Sequence, residues 1–188
     1  MGSATSLVAR EHELERALHS LRFSGGVLIT GEPGAGKTFL AARVADQLPQ
    51  PPVAWLMATA ASRATPLGAL TGLLPPDLAT IYPALVAQHV STRLSELSGA
   101  ESRPAPGPSA AGHRAAATQR RTAPPMLVVD DGQLLDPQSA AVLLSLVSAK
   151  SVRLLGTMRT GETPSDAVTA QWKEQVVDRL DLGWLAGG

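Results

Sequence analysis

Gly31-Glu32-Pro33-Gly34-Ala35-Gly36-Lys37-Thr38 is a glycine, four residues, then Gly-Lys-Thr. That spacing is the phosphate-binding loop pattern. Val27-Leu28-Ile29-Thr30 before it reads as a short buried strand, and Phe39 to Leu48 after it reads as an amphipathic helix. A strand feeding a glycine loop that opens a helix lets several backbone N–H groups converge on one phosphate. The positive end of the helix adds to the attraction. Glycine allows the loop's dihedrals and the close approach of its backbone to the ligand oxygens. On this reading Gly31, Glu32, Pro33, Gly34, Ala35 and Gly36, with Lys37, Thr38 and Phe39, form the nucleotide-contacting stretch. Lys37 reaches the β- and γ-phosphates, where it also serves catalysis, and the Thr38 hydroxyl sits on Mg²⁺.

Working outward, Leu7 to Leu21 reads as a helix with Leu14, Leu18 and Leu21 on one stripe, closed by Gly25-Gly26. In the helix after the loop, Leu40, Val44 and Leu48 share a face, and Pro49, Pro51 and Pro52 end it. Val53 to Met57 reads as a second buried strand. Thr65-Pro66 reads as an N-cap with proline at the first helical position, opening a short helix through Leu74. Pro83 to Leu97 reads as a helix with Val86, Val90, Leu94 and Leu97 inward. Glu101 to Pro125 contains no leucine, isoleucine, valine or aromatic residue. Such a segment is expected to be a disordered insertion, because it has too little apolar surface to offset ordering its backbone.

Met126-Leu127-Val128-Val129 runs straight into Asp130-Asp131. A buried strand ending in carboxylates places negative charge beside a metal held by Thr38 and phosphate. Asp130 is the candidate for orienting Mg²⁺, through its bound waters, and Asp131 for the general base or water-orienting group. Asp136-Pro137 then opens a helix with Ala140, Leu143, Leu144 and Val147 inward. Val152 to Thr157 is a fourth strand followed by Arg159, whose guanidinium is placed to sense a γ-phosphate. Thr163-Pro164 opens a short helix containing Val168 and Trp172, and Val176 to Leu182 supplies a weaker fifth strand. Trp55 and Trp172 are read as packing residues, and the four histidines show no metal-ligand spacing. Strands alternating with helices predict an α/β fold with a parallel sheet covered on both faces, its ligand at the strands' C-terminal edge.

Composition narrows the classes. Over 188 residues, 44% are hydrophobic and 17% charged, which suits one globular domain. Sixteen basic and sixteen acidic residues cancel, so no bulk field favours nucleic acid or an anionic membrane. Lys37 is one of only three lysines, which makes a lysine inside the glycine loop less incidental. The chain has no cysteine, which excludes a disulfide framework, a thiolate zinc site and a cysteine nucleophile. No signal peptide or membrane-spanning run is legible, so the expected setting is the cytoplasm.

Four stretches together carry a family likeness: Leu7-Val8-Ala9-Arg10-Glu11-His12-Glu13-Leu14, the loop itself, LVVDDGQLLD (Leu127 to Asp136) and RLLGTMR (Arg153 to Arg159). The chain resembles the N-terminal ATPase domain of large, MalT-like LuxR-type bacterial transcriptional regulators. These belong to the signal-transduction ATPases with numerous domains (STAND), relatives of the AAA ATPases. The resemblance implies a three-layer αβα phosphate-loop NTPase with a mostly parallel five-stranded sheet in the order 5-1-4-3-2. It implies ATP and Mg²⁺ as ligands, with Val8 and Arg10 near adenine and ribose, Thr38 and Asp130 at the metal, and Lys37, Asp131 and Arg159 as the catalytic and sensing groups. Ala9 departs from the glycine usual before the Arg-Glu pair. The family's lid, winged-helix, sensor and helix-turn-helix parts have no counterpart in these residues, so direct DNA binding is not expected and turnover should be slow. A weakly hydrolysing ATP switch with a protein partner or self-association is the leading reading. A non-hydrolysing nucleotide-binding module and a small-molecule kinase are the alternatives.

Overall fold

The structure is a computed structural model that describes residues 10–75, 83–101, 123–161 and 177–183. Its frame is a five-stranded sheet of β1 (Gly26–Gly31), β2 (Ala54–Met57), β3 (Met126–Asp130), β4 (Arg153–Arg159) and β5 (Asp178–Leu182). The strands lie in the order β2-β3-β4-β1-β5, which is the expected 5-1-4-3-2 read from the other edge, and every pair is parallel. Parallel neighbours need crossover connections, and helices supply them. α1 (Glu11–Phe23) leads into β1, and the crossovers carry α2 (Lys37–Asp46), the one-turn α3 (Ala60–Arg63), α4 (Pro83–Glu101) and α5 (Pro137–Ser148).

The apolar runs in the sequence are continuous because the sheet is buried on both faces. Val27, Ile29, Met126, Val128, Leu155 and Leu180 pack on one side with α1 and α2, through Leu14, Ala17, Leu21, Leu40 and Val44. Leu28, Leu127, Val129 and Leu154 pack on the other with α4 and α5. There Val86, Val90 and Leu94 of α4 are fully buried. Ala140, Leu143 and Val147 of α5 point inward as predicted, joined by Val142 and Leu146, whereas Leu144 is only half-buried. Asp136 caps α5 through bonds from the N–H groups of Gln138 and Ser139, with Pro137 at the first helical position.

Three expectations change. Thr65-Pro66 does not open a helix. The cap is Thr59, whose hydroxyl accepts from Ser62 N while the Ser62 hydroxyl accepts from Thr59 N, and α3 is a single turn. The chain then doubles back into a 3₁₀ turn over Gly68–Leu73, led by Leu67 at φ 59°. Gly68 lies so close to α3 that a Cβ there would sit 2.2 Å from the Ser62 carbonyl oxygen, and the helical turns begin only there, as 3₁₀ rather than α. Next, among the described residues β2 is an edge strand with β3 as its one neighbour. Leu56 is buried, but Trp55 and Met57 are 41% and 67% exposed, so Trp55 lies at the rim of the core. Finally, β4 includes Arg159 as its last residue, in register with Gly31, because its pairing with β1 continues to the start of the glycine loop.

Val8, most of the Glu101–Pro125 stretch and the Thr163–Trp172 helix lie outside the described residues. Among the described residues no helix is long and apolar enough to cross a membrane.

Candidate functional site

β1 ends at Gly31 and α2 begins at Lys37, so the loop between them is five residues long. Gly34 and Gly36 hold φ values of 81° and 86°, a left-handed geometry that costs a side-chain-bearing residue about 1 kcal/mol or more. Gly31 needs glycine for a different reason. A Cβ there would sit 2.7 Å from the carbonyl oxygen of Leu182 at the end of β5, so the loop is seated directly on that strand. The first amides of α2 open toward the loop, as anion binding at a helix N-terminus requires.

Lys37 folds back over this loop. Its ammonium donates to the carbonyls of Gly31 at 3.0 Å and Glu32 at 2.8 Å. Burial pushes its pKa below the ordinary lysine value, an effect that the nearby Asp131 carboxylate partly offsets and the Arg159 guanidinium reinforces. Arg10 braces the loop from behind. It is 6% exposed, and its guanidinium donates to Ala35 O at 3.0 Å and Gly183 O at 2.9 Å and pairs with Glu13 at 3.2 Å. These contacts tie α1, the loop and the exit of β5 at one point. Thr160 closes the rim, bonding Glu32 Oε1 at 3.1 Å.

The carboxylates arrive on β3. Thr38 Oγ1 lies 3.0 Å from both oxygens of Asp130, which is buried. Asp130 also accepts from the fully buried Thr157 hydroxyl on β4 and from the backbone N–H of Asp131. Asp131 itself takes φ 54°, which turns its side chain out of the strand line and toward the end of β4. Its Oδ1 accepts from Gln133 Nε2 at 2.9 Å and from Arg159 Nε at 3.3 Å. Arg159 N in turn donates to Gln133 Oε1 at 3.0 Å.

The structure thus brings Lys37, Thr38, Asp130, Asp131 and Arg159 to one edge of the sheet. Arg10 stands against the loop backbone, and Phe39 is 53% exposed on α2. Gln133 was not among the sequence candidates, and Thr157 was noted only as a neighbour of Arg159. The signal for Gln133 was available: a lone amide between the apolar runs of LVVDDGQLLD needs partners if it is buried. Thr38 and Asp130 offer a hydroxyl and a carboxylate, hard oxygen donors that fit Mg²⁺. Among the described residues no group of three or more His, Cys, Asp or Glu could hold a metal. A metal at Thr38 and Asp130 therefore requires phosphate oxygens and water to complete its shell.

Comparison with known proteins bears on the family and the fold. The AAA ATPase domain family profile matches residues 6–156, most of the chain. The chain belongs to that family. Among solved structures, the AAA domain is similar to the Orc1 protein of Aeropyrum pernix, whose structure is of a complex with DNA. That match has a TM-score of 0.52 at 17% identity, over 95% of this chain and 46% of the other. It is also similar to a DNA polymerase III gamma subunit-related protein of Thermotoga maritima, with a TM-score of 0.47 at 12% identity, over 92% of this chain and 46% of the other. The chain spans less than half the length of these proteins, and at such identities the likeness concerns the fold alone. No curated protein matches the sequence.

Proposed function

We propose that this AAA domain binds ATP with Mg²⁺, hydrolyses it slowly, and uses its nucleotide state as a switch within a LuxR-type transcriptional regulator of the cytoplasm. The observation that carries the reading is the meeting of Thr38 Oγ1 with both Asp130 oxygens at 3.0 Å, beside a lysine folded onto the loop. In that arrangement Lys37 exchanges its carbonyl partners for the β- and γ-phosphates. Thr38 and Asp130 would hold Mg²⁺, Asp130 through water, and the chemistry such an ion would supply is neutralisation of phosphate charge. Asp131 orients the attacking water, and Arg159 reads the γ-phosphate. Slow turnover follows from the resting contacts, because the Arg159 guanidinium sits on the Asp131 carboxylate and must turn to the γ-phosphate before that carboxylate is free to accept from water. Val8 and Arg10 belong to the adenine side in this reading. The partner is another protein or a second copy of the chain; the balanced charge argues against direct DNA binding.

The test is titration of a fluorescent ATP analogue with Mg²⁺ against wild type and Lys37→Ala, following phosphate release in the same samples. Binding by wild type at about micromolar Kd, lost in Lys37→Ala, with release that Asp131→Ala stops while leaving binding intact, is the expected result. Binding without release would replace the switch ATPase by a non-hydrolysing module. No binding by wild type would end the nucleotide reading.

A further inference from the structure

Gln133 is 2% exposed, and burying a primary amide is unfavourable unless both of its ends are bonded. Both ends are: one to the side chain of Asp131, the other to the β4 backbone at Arg159. Its Nε2 donates to Asp131 Oδ1 at 2.9 Å, and its Oε1 accepts from Arg159 N at 3.0 Å. The orientation of the amide follows from its partners, since a carboxylate only accepts and a backbone N–H only donates. The turn that delivers it is short and local. Asp131 at φ 54° starts the 3₁₀ turn Gly132–Leu134, which swings residue 133 back against the carboxylate two positions earlier.

From these contacts we infer that Gln133 is a positioning residue: it sets the Asp131 carboxylate against the end of β4 in both nucleotide states. Asp131's ion pair with Arg159 cannot do this alone. The two side chains are 33% and 38% exposed and 3.3 Å apart, and a pair so open to water is weak. Its guanidinium is also the group that a γ-phosphate would draw away. Gln133 holds Arg159 by its backbone, not its side chain, so that hold persists when the guanidinium turns. The amide then remains as the fixed partner of the carboxylate at the moment a water must be aligned. The kinetic part of this inference rests on the hydrolysis proposed above.

The experiment compares wild type, Gln133→Met and Gln133→Glu in three readouts: Mg-ATP affinity, phosphate-release kcat, and hydrogen exchange of the Arg159 backbone amide by NMR. Gln133→Met keeps the length and removes both bonds. It should bind Mg-ATP within about twofold of wild type, lose about tenfold or more in kcat, and exchange the Arg159 amide faster. Gln133→Glu keeps the acceptor for Arg159 N but sets a carboxylate against Asp131. It should retain slow exchange at Arg159 while losing release, and it decides the matter if Gln133→Met does not fold. Unchanged kcat in either variant, or unchanged Arg159 exchange in Gln133→Met, overturns the inference. If wild type releases no phosphate, it is the hydrolysis proposal that fails. The Arg159 amide then decides on its own: faster exchange in Gln133→Met supports the positioning role, and unchanged exchange removes it.

Discussion

At Asp136 a single oxygen, Oδ1, accepts from the backbone N–H groups of Leu67, Gln138 and Ser139 at 3.0, 3.1 and 3.0 Å. Two of these bonds cap α5, and the third holds a turn 69 residues away in the chain. Replacing Asp136 by Ala removes a cap, at about 1 kcal/mol, and leaves Leu67 N buried without this acceptor, at about 1–3 kcal/mol. Urea unfolding of Asp136→Ala should therefore show a loss of about 2–4 kcal/mol; a loss below about 1 kcal/mol would mean that water replaces the carboxylate at Leu67. Lys37 presents the opposite case, a residue whose charge works against the fold. Its folded pKa is depressed by burial, so wherever the ammonium is charged its burial costs the folded state stability. Lys37→Met should consequently not lower the Tm of the nucleotide-free protein, while abolishing the rise in Tm that Mg-ATP produces. A large drop in nucleotide-free Tm would show that the bonds to Gly31 and Glu32 outweigh the burial of the ammonium.

At the scale of elements, β5 is the seat of the loop. Its Asp181 carboxylate accepts from the Thr30 hydroxyl, one residue before Gly31, and from Arg179 at 2.9 Å. The Thr30 bond, with smaller help from Arg179, holds the Asp181 pKa below the ordinary carboxylate value against the opposing pull of burial. A depressed carboxyl contributes stability that is present above its unfolded pKa and is lost as pH falls through the folded one. The Tm of Asp181→Asn should thus lie below wild type at neutral pH, and the gap should close as pH drops below about 4. Because the side chain is 66% exposed, the gap should be small. A gap that stays constant down to low pH would assign the effect to Thr30 packing instead of charge.

These elements also show where sequence patterns suffice. The loop, the strand ending in Asp130-Asp131 and the capped α5 are local: their signals are glycine dihedrals, apolar runs and a Pro at a first helical turn. They were legible, as was the strand order once the family likeness had been drawn. The reversal after α3 was not. Its course depends on Gly68 meeting Ser62, which no helix or strand pattern signals, and on Asp136 holding Leu67, a contact that no window around Thr65-Pro66 contains. The edge position of β2 was hidden for a similar reason, since an apolar run looks the same with one neighbour or two. Gln133 was readable as an oddity, but its partners Asp131 and Arg159 come together only when β3 and β4 pair.

Across the whole molecule, the site is assembled from the C-terminal ends of β1, β3 and β4 and the start of α2, so it exists only when the sheet is closed. A ligand that binds only the folded state stabilises it by RT ln(1 + [L]/Kd), about 2.7 kcal/mol at a hundredfold excess over Kd. For a domain of this size that is a rise in Tm of about 5–10 °C. The two faces of the sheet should respond differently to damage. Leu143 is fully buried on the α5 face, away from the loop, whereas Leu40 is buried on α2, three residues after Lys37. Each truncation to Ala should cost about 2–5 kcal/mol in the nucleotide-free protein. Sites without shared partners combine additively, so Leu143→Ala should keep the full Mg-ATP increment in Tm. Leu40→Ala loosens the helix whose first turn faces the phosphates and should lose part of it. Calorimetry with and without Mg-ATP separates the two. Equal increments would mean that the loop holds its shape through β5 and Arg10 rather than through the packing of α2.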